Sequence, residues 1–269
     1  MNHLRRHLAP ISDRGWELIE EEAARTIKNH LAARPFVQVT GPRGWEFGAV
    51  SRGRVRAVVP SPGDQVVADL REVQPLIELR TPFQLSLDEL DAADRGAPDP
   101  DLDPVIDAAR RAALAEDRAI FHGYEAAGIT GIVPASPHEP LTIPDDYNEY
   151  PSMVARAVAK LRTAGVGGPY AIALGPRCYT GVVETTEHGG YPMLEHLKLI
   201  LGGPVAWAPG VDGAVVLSLR GGDYELVLGQ DFSIGYRTHD DTSVELYIEE
   251  SMTFVVNDER AAVALVYER

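Results

Sequence analysis

The chain has 269 residues, 45% of them apolar, and a formal net charge of -15. That is enough apolar side chain for one large domain or two modest ones, while the negative balance, unbroken by any Lys/Arg cluster, argues against a nucleic-acid partner. The lone cysteine, Cys178, excludes an intramolecular disulfide and a cysteine-based zinc site and fits a reducing, cytoplasmic setting.

The start, MNHLRRHLAPISDRGW, lacks the apolar segment of a secretory signal, and no run of roughly 18 apolar residues is present to span a membrane. Ser12 or Asp13 caps a first helix whose apolar positions Trp16, Ile19, Ala23, Ile27 and Leu31 step by three or four. Pro35 stops it, and a short strand over residues 36–39 runs into the turn-rich GPRGW. Residues 47–80 read as a long β-hairpin broken by PSPGD. Such an arm leaves edges and a face uncovered, so a partner chain is expected.

Ser86 and Glu89 form a capping box that opens a short helix ended by Gly96. Asp103 and Pro104 start a long Ala-rich helix with Val105, Ile106, Ala109, Ala113, Ile120 and Tyr124 near one side and Gly128 beyond its end. After a Pro-rich loop over residues 134–151, helix 152–164, strand 170–174 and helix 177–185 alternate as a compact α/β unit. Strands follow from Val205, Ala214, Tyr224, Phe232 and Val244.

No catalytic constellation emerges. The metal-like group Glu184, Glu187, His188, Glu195 and His196 matches neither zinc-helix spacing, and GGYP divides it. Cys178 beside Arg177 has no patterned His or Asn partner and reads as a buried thiol. Gly221, Gly222 and Asp223 read as a tight hairpin turn, because no helix follows to receive a phosphate. Gly165, Gly167 and Gly168 follow a helix and precede a strand, the reverse of a dinucleotide fingerprint. No metal and no catalytic residue is assigned.

Several segments in order resemble the encapsulin family of bacterial nanocompartment shells: LRRHLAPIS with EEEAARTIKNHLAAR, FVQVTGPRGWEFGAV, PLIELRTPFQLSLDELDAADRG, AEDRAIFHGYEAAGITGI, GPYAIALGP and RGGDYELVLGQDFSIGY. The resemblance covers the whole chain and is most specific over residues 220–236. It implies an α+β fold of the tailed-phage major capsid type, with a peripheral domain, an axial domain and an extended loop. Residues 1–46 would begin the peripheral domain, 47–80 form the extended loop, 81–128 carry the spine helix, 129–220 form the axial domain, and 221–269 return as peripheral strands.

The resemblance further implies self-assembly into an icosahedral shell of about 60 copies. Such a shell encloses cargo, a ferritin-like iron oxidase slightly ahead of a dye-decolourising peroxidase, through a targeting peptide at the cargo's carboxyl terminus. The first helix lies on the inner surface, so Ile19, Ala23, Ile27 and Leu31, with Leu228, Phe232 and Ile234, are candidates for the docking groove; ordinary core is the competing reading. The loop carrying Glu184, Glu187, His188, Gly189, Gly190 and Tyr191 would surround a fivefold pore and attract cations. Some relatives bind flavin on a Trp where this chain has Asp88, so no cofactor is expected. A hydrolase and a genome-packaging viral capsid protein are the alternatives.

Overall fold

The computed structural model describes residues 3–185 and 192–268. Two hydrophobic cores organise it. In the first, helix α1 (Asp13–His30) and helix α3 (Asp103–His122) pack together over a four-stranded sheet. The strands are β1 (Gln38–Thr40), β4 (Ile77–Ser86), β9 (Tyr224–His239) and β10 (Ser243–Val256), in the order β1-β9-β10-β4. Ser12 caps α1 by accepting from Gly15 N–H at 3.0 Å. Trp16, Ile19 and Ala23 from α1, and Val105, Ala108, Ala109 and Ala112 from α3, meet Phe83, Leu85, Ile234, Val244, Leu246 and Ile248 of the sheet. The small alanines let the spine helix approach its neighbours closely, and apolar burial holds the layers.

The second core surrounds a five-stranded sheet of β5 (Leu141–Thr142), β6 (Tyr170–Leu174), β7 (Val205–Trp207), β8 (Ala214–Ser218) and β11 (Ala262–Val266), ordered β5-β11-β8-β6-β7. Every residue of β6 and β8 is buried, as expected of central strands covered on both faces. Helices α5 (Tyr150–Thr163), α6 (Pro176–Glu184) and α7 (Met193–Leu201) pack around it. Short helices α2 (Leu87–Asp94) and α4 (Ile132–Ala135) complete the set.

The third sheet is a two-stranded hairpin, β2 (Ala49–Ala57) with β3 (Asp69–Pro75). Every residue from 51 to 67 is exposed, and Val59 and Val67 are 87% and 83% exposed. It is narrower than the expected arm: PLIELR contributes to β4, which pairs with β10 along its whole length, so the hairpin ends at Pro75.

Several other expectations are corrected. The spine helix ends at Gly123, not Gly128: φ there is 82°, and an added Cβ would lie 2.7 Å from both Gly131 N and Ile129 O. Tyr124 is consequently outside the helix and 48% exposed. Ser86 makes no side-chain capping bond to α2. The two strands expected over residues 224–236 are one continuous β9, with irregular pairing to β10 near Ser251. Gly221 and Gly222 do not turn a hairpin, because β8 and β9 belong to different sheets; with Arg220 clamped to Asp223 at 2.6 Å and Asp258 at 2.7 Å, they redirect the chain between layers. Finally, β11 lies between β5 and β8 in the second sheet, so the strands of residues 221–269 are divided between the two sheets. Its almost wholly buried AVALV demands a site covered on both faces.

Candidate functional site

Where α1 leans over β9, an open groove of about 690 Å³ remains. Ala23, Ala24, Ile27 and Leu31 form one wall, and Phe232, Ile234 and Ile248 the other. Glu20, Lys28, Arg34 and Asp231 add charge to its lining. Five of the seven residues expected to share a groove, Ala23, Ile27, Leu31, Phe232 and Ile234, therefore do so. Ile19 and Leu228 do not: they are 0% and 1% exposed and belong to the two cores. For Ile19, the cause is rotation around α1, which turns it under the helix toward the sheet and α3 while Ile27 remains half-buried at the groove.

Charge at one end of the groove is tightly organised. Arg34, following α1, forks onto Glu116 of α3 through Nε and Nη2, at 3.0 and 2.6 Å. It also forks onto Asp231 of β9 through Nη1 and Nη2, at 3.2 and 2.8 Å. Burial opposes the Asp231 carboxylate, but the hydrogen bonds and charge of Arg34 outweigh it and hold the acid below its usual range. Next to Glu116, Asp117 accepts the N–H groups of Ala32 and Ala33 at 2.9 and 3.0 Å, fastening the end of the α1 segment to the spine helix. Burial pushes Asp117 up to about 7 against those two bonds. Sequence reading missed Arg34, Glu116, Asp231 and Glu250. The available signal was an acid interrupting apolar runs, at Glu116 in the spine helix and Glu250 in β10, since buried charge requires a partner.

The expected pore loop joins α6 to α7. Met193 N–H donates to Thr185 O at 3.3 Å, bringing the two ends of the loop together. Glu184 is exposed at the end of α6, whereas Glu187, His188, Gly189, Gly190 and Tyr191 lie outside the described residues. Val183 and Leu199 on the flanking helices are 52% and 74% exposed. Glu195 pairs with Lys198 at 2.7 Å, and no metal-holding group of His, Cys, Asp and Glu occurs among the described residues.

Cys178 is buried, with Sγ 2.9 Å from the Tyr267 hydroxyl, and burial raises its thiol. That is poor preparation for a nucleophile. Asp88 is exposed in the first turn of α2, where its carboxylate offers a flavin ring no stacking surface. No helix of the described residues is long and apolar enough to cross a membrane.

Two cores, a spine helix and a projecting hairpin define a capsid-type subunit. Its fold matches the virus-like particle of Pyrococcus furiosus with a TM-score of 0.66 at 14% identity, covering 94% of this chain and 99% of that one. A solved chain of Mycobacterium phage Bobi matches with a TM-score of 0.58, also at 14% identity, over 91% and 90%. At that identity the likeness establishes the fold alone. A family model described as "Encapsulating protein for peroxidase" matches residues 1–253. The type 1 encapsulin shell protein of Rhodospirillum rubrum is 53% identical over 98% of this chain and 96% of its own length. The chain belongs to the encapsulin family of shell proteins, and its architecture is the tailed-phage capsid fold.

Proposed function

We propose that about 60 copies of this chain close into an icosahedral cytoplasmic shell that holds an enzyme by its carboxyl-terminal targeting peptide. The carrying observation is the groove between α1 and β9, an open apolar channel whose walls come from elements that both cores fix in place. An extended peptide laid there buries its apolar side chains without any rearrangement of the fold. The exposed valines of the β2–β3 hairpin complement this reading, because neighbouring copies can cover them and pair its edges.

The description of the family favours a peroxidase as cargo over a ferritin-like iron oxidase. The loop between α6 and α7 is the proposed entrance for small solutes, with copies of Glu187 and His188 gathered around a fivefold axis. Asp88 argues against bound flavin. Mass spectrometry of particles purified from their native host tests the cargo assignment. A peroxidase with a peptide tail is expected inside; a ferritin-like protein would replace it, and particles filled with nucleic acid would overturn the cargo-shell reading.

A further inference from the structure

Three carboxyl groups converge on one guanidinium at the end of the groove. Arg34 Nη2 lies 2.6 Å from Glu116 Oε2, 2.8 Å from Asp231 Oδ1 and 3.0 Å from Glu250 Oε1. That nitrogen has two hydrogens and cannot give a full bond to three oxygens. Of the other donors, Nε goes to Glu116 and Nη1 to Asp231, so Nη2 alone reaches Glu250. Glu250 is thus the carboxyl without a full donor, and its buried Oε2 accepts no hydrogen bond from any N–H or hydroxyl. The side chains of Glu116 and Glu250 are both 0% exposed, so water does not relieve the shortage.

We propose that Glu250 is a neutral, protonated acid that donates its proton to Glu116 and thereby positions Arg34, making the shape of the groove depend on one buried proton. The consequence for cargo rests on the groove being the docking site. The facing charged groups are Arg34 after α1, Glu116 and Asp117 on α3, and Asp231 on β9, with Glu20 and Lys28 of α1 also on the groove. Burial first, then the neighbouring Glu116, drives Glu250 well above the usual carboxylate range against the pull of Arg34. Losing the proton would leave three carboxylates on one cation, beneath a groove wall that includes Phe232.

Glu250→Gln keeps the shape and replaces the O–H donor by N–H, whereas Glu250→Leu removes both donor and acceptor. Shells of each variant would be titrated with a fluorescent peptide copied from the carboxyl terminus of the co-purified cargo. Glu250→Leu should bind about tenfold more weakly, and Glu250→Gln should restore affinity to within about twofold of wild type. Affinity of the wild type should fall as pH rises into the alkaline range, while that of Glu250→Gln stays level. In infrared difference spectra against Glu250→Gln, wild type should show the C=O stretch of a protonated carboxyl. A carboxylate band in its place, or a tenfold loss in Glu250→Gln, would overturn the proposal. The infrared result decides the protonation of Glu250 independently of the peptide; normal peptide binding by Ile27→Asp would instead overturn the docking reading and its link to this proton.

Discussion

The Arg34 guanidinium lies 5.2 Å from the centre of the Phe232 ring, so the ion cluster and an apolar wall of the groove meet at one point. This contact makes the two halves of the site interdependent: α1 and β9, with Ile248 of β10, supply apolar surface, and Arg34 links β9 to α3 beneath it.

Ile27 is the groove residue whose replacement is most informative, because it is half-buried and lies on the open side of α1. Ile27→Asp places an unpaired carboxylate where a peptide must bury apolar surface. Cargo loading should fall at least tenfold while particles still form, as judged by the cargo-to-shell ratio in purified particles. Normal loading would remove the groove as the docking site.

Asp117 gives the subunit a defined pH dependence. Its folded-state value is raised from 3.8 to about 7, so the folded chain retains a proton that the unfolded chain releases. The contribution to stability is therefore fully present below the ordinary value and is lost as pH rises through that window. Asp117→Asn should flatten this part of the profile in thermal melts between about pH 4 and pH 7. Asp117→Ala should cost about 1–3 kcal/mol for each of the Ala32 and Ala33 donors left unpaired.

Much of this architecture is legible from local patterning. The stripe on α1 and the Pro104 start of α3 follow from periodicity and capping chemistry, and five groove residues follow from resemblance combined with that stripe. What the local pattern does not contain is long-range pairing. The run AVALV announces a buried strand, but only its register with β8 and β5 assigns it to the second sheet. Adjacent Glu249 and Glu250 likewise look alike in sequence. Their side chains alternate across β10, so Arg80 claims the first at 2.5 Å and Arg34 the second at 3.0 Å. Leu228 fails as a groove residue for the same kind of reason, since its neighbours are set by the irregular β9–β10 pairing.

The pore reading makes a kinetic prediction. Combined Glu187→Lys and His188→Lys reverses the local charge, and should slow cation entry into loaded shells without affecting assembly or the activity of free cargo. The effect should be largest at low ionic strength. Uptake that remains unchanged under those conditions would exclude the loop as an electrostatic gate.

Assembly through the hairpin is the most exposed claim of all. Val59 and Val67 touch neither core, so Val59→Asp with Val67→Asp should change the stability of the isolated subunit by less than about 0.5 kcal/mol while preventing closure. Native mass measurement of the wild-type and variant proteins side by side tests this directly. Wild type is expected as a closed particle of about 60 copies of the 29.2 kDa chain, and the variant as small, folded species. A wild-type protein that stays monomeric, or a variant that closes as efficiently as wild type, would contradict the account.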